Sequence, residues 1–160
     1  DRFVFERMGY SYRTTELESA LGVAQMPDLR ANLVSRWLAA TCINIKLAHP
    51  YSGDKLNLPD LRHSYPMVFP VILTENVKKS KWDVMRELES AGIETREMVP
   101  LLSQPYYKAM GYRLEDFPVS KLVKDRGFYF GIYPEMTQED IDYICDVLGK
   151  AIEHEPILAR

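Results

Sequence analysis

From Met67 to the end of the chain the spacing of apolar residues alternates between the strand period of two and the helix period of 3.6, in the same order three times. "MVFPVIL" (67–73) is a strand-like apolar run, and "SKWDVMRELESAG" (80–92) predicts a helix with Trp82, Met85 and Leu88 on one face. Ser80 supplies its N-cap and Gly92 its stop, where a left-handed residue ends helices most readily. "IETREMV" (93–99) returns to the extended pattern, a short helix is expected over 119–124, and "GFYFGIY" (127–133) has the aromatic and β-branched content of a third strand. Thr137 then caps a final helix in which Ile141, Ile144, Cys145, Leu148 and Ile152 fall on one face. Strand and helix alternating in this way predict an α/β unit, a small sheet with helices packed mainly on one face. Pro70 removes a ladder donor from the first strand, which predicts an edge position or a bulge.

The first part of the chain is helical by the same criteria. Thr15 and Glu18 form a Thr-x-x-Glu capping box, and Leu17, Ala20, Leu21 and Ala24 follow at helical spacing. Pro27 suits the first turn of a second helix running to about Ala48. This helix carries two apolar stripes, one of Leu29, Leu33, Trp37 and Ala40 and one of Val34, Leu38, Cys42 and Ile45. A surface helix needs one stripe, so the second predicts a helix lying between two bodies. "HPYSGDKLNLPDLR" (49–62) has no clear period and reads as a loop or boundary, as does the stretch containing "PLLSQPYYKAMGY" (100–112).

Composition narrows the partners. An apolar fraction of 46%, a charged fraction of 27% and a net charge of −3 describe a soluble globular chain with no electrostatic reason to bind nucleic acid or anionic membrane. No apolar run approaches the roughly 18 residues of a membrane helix, and the start lacks a signal-peptide pattern, so a cytoplasmic location is expected. Cys42 and Cys145 stand far from any second cysteine or histidine, which predicts buried thiols and no metal site. His49, His63 and His154 lie in loops or at the frayed end, the glycines form no phosphate loop, and the acidic run at the last helix start complements the helix dipole. The lysine runs, including Lys78, Lys79, Lys81, Lys121 and Lys124, are expected to be exposed.

Two stretches carry candidate chemistry. In "GYSYR" (9–13) hydroxyls and a guanidinium precede a helix start that favours anions, so Tyr10, Ser11, Tyr12 and Arg13 suit a phosphate group. The alternative is that the tyrosines pack and Arg13 pairs with a nearby acid. "ETREMVPLLSQPYY" (94–107) is a strand running into a loop rich in Gln, Tyr and Pro, suited either to order alone or to ligand contact.

Taken in order, "GYSYRTTELESALGVAQ", "HSYPMVFPV", "AGIETREMVPLLSQPYY" and "FPVSKLVKDRGFYFGIYPEMTQEDIDYI" resemble the C-terminal portion of the DegT family of sugar aminotransferases. The resemblance covers most of the chain outside Cys42 to Leu61. It implies the fold-type-I aminotransferase architecture, with residues 1–48 ending a large domain and connecting to a small α/β domain over 49–160. It implies pyridoxal phosphate as cofactor, a nucleotide-linked keto sugar as substrate, glutamate as amino donor and a homodimer with active sites at its interface.

The family's glycine-tyrosine-asparagine-x-arginine loop matches Gly9 to Arg13, with Ser11 in place of asparagine, so Ser11 is expected at the cofactor phosphate and Tyr10, Tyr12 and Arg13 at the nucleotide sugar. The 98–107 loop departs from the family pattern, because Leu102 occupies the neighbourhood where histidine is frequent. The Schiff-base lysine and the aspartate on the pyridine nitrogen lie upstream of this loop in the family. The chain is therefore expected to be a fragment with no catalytic residue of its own. A related sugar 3-dehydrase, in which histidine replaces the lysine, and a freestanding α/β interaction module are the alternatives.

Overall fold

The computed structural model describes residues 4–7, 9–10 and 13–153. Six helices and four strands follow in the order α1 (Glu16–Gln25), α2 (Leu29–Tyr51), β1 (Leu56–Asn57), β2 (Val68–Leu73), α3 (Lys81–Ser90), β3 (Thr95–Glu97), α4 (Pro105–Ala109), α5 (Pro118–Arg126), β4 (Gly127–Gly131) and α6 (Gln138–Glu153). Single 3₁₀ turns cover Met26–Asp28, Leu101–Ser103 and Leu114–Asp116.

The strands form one antiparallel sheet in the order β1-β2-β4-β3. Alternation along β2 and β4 turns Phe69, Val71, Leu73, Phe128 and Phe130 to one face, where all are at most 1% exposed. Phe69 and Phe130 are cross-strand partners and stack with ring centroids 5.4 Å apart, which fixes the register of the two longest strands. Against that face lie Val84, Met85 and Leu88 of α3 and Ile141, Ile144, Cys145, Leu148 and Ile152 of α6, in one continuous core. Burying each large side chain stabilises the fold by roughly 1.5–3 kcal/mol, and this packing holds α3 and α6 on the sheet. Helix α5 lies against the opposite face, where Val119 and Val123 share a shallow groove with Val68 and Tyr129.

The caps read from sequence are present. Thr15 accepts from the Glu18 amide while Glu18 reaches back to the Thr15 amide, and Ser80 accepts from the Asp83 amide. Thr137 accepts from the Asp140 amide, 3.2 Å away. Gly92 follows α3 with φ 82°, the left-handed stop expected of it.

Four local expectations change. Pro70 lies in β2, which has a neighbour on each side, and not in an edge strand. It is tolerated because it opposes Tyr129 one step from the hydrogen-bonded Phe69–Phe130 pair, so its ring nitrogen faces away from β4. On that side β1 reaches only Ile72 and Leu73. Trp82 is 51% exposed, and the buried face of α3 is Lys81, Val84, Met85 and Leu88.

Lys79 and Lys81 are buried, at 5% and 4% exposure, and are not part of an exposed run. Lys79 Nζ donates to Glu87 at 2.6 Å, while Lys81 Nζ donates to the Lys124 carbonyl near the end of α5, with Glu97 at 3.5 Å and the Trp82 ring at 4.7 Å. Their aliphatic stems are covered and their ammonium groups have partners, so burial does not isolate either charge. Finally, α2 continues through Pro50 to Tyr51, and β1 and α4 form within the two stretches read as loops.

On α2 the buried face is Ala39, Ala40, Ile43 and Leu47, so only Ala40 of the first stripe enters the core and Leu29 and Trp37 stay exposed, as do Val34, Leu38 and Ile45 of the second, at 44%, 49% and 67%. Cys42 is half-buried and Cys145 buried, both as free thiols. Among the described residues no helix is long and apolar enough to cross a membrane, and no group of three or more His, Cys, Asp or Glu side chains is placed to hold a metal.

Candidate functional site

The loop that follows β3 receives Phe5, which lies four residues before the 9–13 segment. The Phe5 backbone N–H donates to Gln104 Oε1 at 3.0 Å, and its carbonyl accepts from the Tyr106 N–H at 3.3 Å. The receiving loop is firmly built. After β3, Pro100 starts a 3₁₀ turn whose Ser103 returns both its amide and its hydroxyl to the Pro100 carbonyl, at 2.9 and 2.7 Å. Pro105 then opens α4 at a first-turn position that needs no amide donor. Tyr106, Tyr107, Tyr112 and Phe117 continue as a chain of ring contacts with centroids 5.5 to 6.5 Å apart. Gln104 sits at the base of this loop, 5% exposed.

Between Phe5 and α1 the described residues are exposed. Tyr10 is 72% exposed and Arg13 is exposed. Ser11 and Tyr12, the other two candidates, lie outside the described residues, as does His154.

The start of α1 differs from the anion-favouring end expected. The Glu18 carboxylate already occupies it, accepting from the Thr15 amide at 2.9 Å and the Thr15 hydroxyl at 3.0 Å, with Glu16 beside it in the first turn. These contacts, the backbone one first, hold the Glu18 carboxyl below its ordinary pKa. The helix dipole is thus complemented from within, and a bound anion would meet Arg13 rather than the helix terminus.

His49 and His63 are exposed. Burial lowers the Lys81 pKa, with Glu97 opposing it, and burial pushes the Cys145 thiol up to about 11. A cleft of about 570 Å³ lies at the end of the sheet where β2 begins, lined by Val68, Arg96, Tyr129, Tyr133, Asp140 and Tyr143 among others. Among the described residues it includes none of the 9–13 segment or of the 98–107 loop, and its Arg96 is paired with Glu94. The Phe5–Gln104 contact is the part of the site that sequence reasoning missed. Hydrogen bonds from one exposed backbone residue to a side chain 99 positions away leave no periodic signal.

Comparison with known proteins gives this arrangement a context. The chain is 26% identical over 149 residues to the lipopolysaccharide biosynthesis protein RfbH of Salmonella typhimurium, covering 89% of this chain and 34% of that protein. It is 25% identical to the GDP-perosamine synthase of Caulobacter vibrioides, covering 94% of this chain and 41% of the relative. The chain thus spans between a third and two fifths of the length of these relatives.

Among solved structures, the PMP form of Spr1654 from Streptococcus pneumoniae superposes with a TM-score of 0.76 at 17% identity, covering 88% of this chain and 36% of that one. The Escherichia coli GDP-4-keto-6-deoxy-D-mannose-3-dehydratase, solved with hydrated PLP, gives a TM-score of 0.67 at 22% identity, covering 92% and 38%. These likenesses establish the fold, that of the fold-type-I aminotransferases. The model of the DegT/DnrJ/EryC1/StrS aminotransferase family matches residues 1–149, nearly the whole described chain and both stretches of the site, and the chain belongs to that family.

Proposed function

We propose that this chain is the C-terminal part of a PLP-dependent enzyme that aminates a nucleotide-linked keto sugar for surface polysaccharide or glycan synthesis, with glutamate as amino donor. In this reading residues 1–48 end the large domain, 49–160 form the small domain, and the enzyme works as a cytoplasmic homodimer. Tyr10, Tyr12 and Arg13 contact the nucleotide sugar, and Ser11 the cofactor phosphate. The observation that carries the reading is the family match over residues 1–149, which takes in Arg13, exposed in the structure, and the loop after β3.

Of the residues assigned here only Ser11 would meet the cofactor, and it lies outside the described residues, while Arg13 is exposed and suited to an anionic group of the substrate. The two buried lysines are committed to Glu87 and to the Lys124 carbonyl. The family resemblance assigns covalent attachment to a lysine upstream of the 9–13 loop, and the chain alone is expected to be inactive. When bound, pyridoxal phosphate supplies an electron sink for chemistry at carbon next to nitrogen. The contribution of this chain is to bind and orient. A planar guanidinium grips an anionic substrate group.

A second reading is supported by the likeness to the dTDP-4-dehydro-2,6-dideoxy-D-glucose 3-dehydratase of Saccharopolyspora spinosa, 27% identical over 161 residues and 94% of this chain. A single assay separates the two. The full-length protein, loaded with pyridoxal phosphate, is incubated with GDP- or dTDP-linked 4-keto sugars and glutamate, and the products are analysed by mass spectrometry. Replacement of the ketone by an amine is expected. Loss of the C3 oxygen without amination would establish the dehydratase instead, and turnover of no nucleotide sugar would refute both.

A further inference from the structure

We propose that residues 99–126 form a hinged lobe that opens from the sheet as one unit while the core stays folded, with Lys81 and Arg126 as the latch at its α5 end. Between β3 and β4 the chain leaves the sheet at Met98 and rejoins it at Gly127, and the Met98 N–H donates to the Gly127 carbonyl at 3.3 Å. Because the two ends are adjacent, the residues between them can swing without breaking a strand pair. Of residues 99–126 only Gln104 and Leu114 are buried, and neither belongs to the core, which is built mainly from β2, β4, α2, α3 and α6. A segment that buries so little apolar surface lies at the low-stability end of a fold.

Within itself the lobe is well connected. The ring contacts from Tyr106 through Tyr107 and Tyr112 to Phe117 bridge α4 to the residue that precedes α5, and the Tyr112 N–H returns to the Tyr107 carbonyl at 3.3 Å. Contacts of this kind make opening collective. Toward the rest of the chain, Phe5 is bonded to Gln104 and Tyr106, and Val119 and Val123 share a shallow groove of about 420 Å³ with Val68 and Tyr129.

At the α5 end the attachment is polar. Lys81 Nζ, from the first turn of α3, donates to the Lys124 carbonyl, where the helix dipole favours a cation. Arg126 Nη1 donates to the carbonyls of Thr74 and Val77, at 3.2 and 2.9 Å, on the loop that joins β2 to α3. Glu97, 3.5 Å from Lys81 Nζ, and the Trp82 ring at 4.7 Å both precede the hinge and stay beside the ammonium when α5 leaves. Opening therefore strands no buried charge, and the latch can re-form.

The test is hydrogen exchange read by mass spectrometry on the full-length protein, as wild type, Lys81→Met, Arg126→Met and Val84→Ala, with peptides from 101–124 compared with peptides from β2, β4 and α6. In wild type the hydrogen-bonded amides of α4 and α5 are expected to exchange together, at least about tenfold faster than those of the core and with a weaker dependence on added urea. Lys81→Met keeps the stem and removes one donor of the latch, and Arg126→Met removes the other; each is expected to speed lobe exchange about three- to tenfold. Val84→Ala thins the core, so it is expected to speed exchange of the core peptides and leave the lobe within about twofold of wild type, because the core survives lobe opening. Lobe amides as slow as the core, α4 and α5 exchanging at unrelated rates, or Val84→Ala speeding lobe and core in equal proportion overturns the hinged lobe. Unchanged lobe exchange in both Lys81→Met and Arg126→Met overturns the latch.

Discussion

Gly127 is the position where adding one carbon should do most damage. It follows α5 directly, opens β4 and is extended, with φ −99° and ψ 137°, so no conformational demand requires glycine there. Space does. A Cβ built on Gly127 would stand 2.4 Å from the Val123 carbonyl oxygen and 3.1 Å from Met98 Sδ. Ordinary contact needs about 3.2 Å or more, and the Val123 carbonyl cannot swing aside, because it accepts the Gly127 amide that ends α5. Nor can Gly127 retreat freely, since it is paired with Ile72 across the ladder.

Overpacking against fixed backbone falls at the upper end of the usual 1–3 kcal/mol range, so Gly127→Ala should destabilise by about 3 kcal/mol. For a chain of this size that lowers the melting temperature by roughly 6–12 °C. Gly131→Ala is the control, because nothing lies within 4 Å of a Cβ built there. Circular dichroism melts of the three proteins under one set of conditions provide the assay. A Gly127→Ala protein melting within about 1 °C of wild type would show that α5 and β4 are not held against each other as described.

Three further outcomes are expected. The Cys145 thiol, raised to about 11 from an ordinary value of 9.0, favours the folded state below pH 9, and this contribution should fade between pH 9 and about 11 and be absent in Cys145→Ala; parallel pH–stability curves would contradict it. Glu87→Gln leaves the buried Lys79 ammonium without its carboxylate and should destabilise by about 1–3 kcal/mol in urea titration, less than a fully buried pair because Glu87 is itself half-exposed; Lys79→Met should be milder. The 160-residue chain should self-associate in light scattering across a concentration series, through an exposed surface that includes Leu17, Leu21, Leu38 and Ile45, and Leu38→Lys with Ile45→Lys should reduce this; a strictly monomeric wild type would contradict it.

What sequence revealed here was whatever is encoded locally. The caps at Thr15, Ser80 and Thr137 involve side chains within three residues of the amides they bind, and the α6 stripe repeats over four turns, so both are visible without a partner. The strands β2, β3 and β4 show for the same reason. By contrast, β1 exists only because Leu73 and Ile72 offer it a ladder, and two residues have no period to read.

The burial of Lys79 and Lys81 depends on Glu87 and on the end of α5, the latter brought close only by the tertiary fold. Trp82 was given the inward face because it is large and apolar, yet a lysine stem took that place. At the site, the motif points to Tyr10 and Arg13, which are exposed, and the Thr15–Glu18 capping box already puts a carboxylate at the α1 start, whereas the anchoring of Phe5 to a side chain 99 positions away has no local signal.

The account turns on Arg13 meeting an anionic group of the nucleotide sugar, and Arg13→Ala in the full-length protein addresses it directly. If the guanidinium makes charge-assisted hydrogen bonds to substrate, kcat/KM for the nucleotide sugar should fall by about 1.5–3 kcal/mol. Cofactor loading and melting temperature should be unchanged, and Arg13→Lys should recover only part of the loss, because an ammonium cannot reproduce a planar two-pronged contact. Steady-state kinetics and melting on the same preparations give both readings. Wild-type kinetics accompanied by a lowered melting temperature or a lost dimer would contradict the account and leave Arg13 a structural partner of an acid such as Glu16 or Glu6.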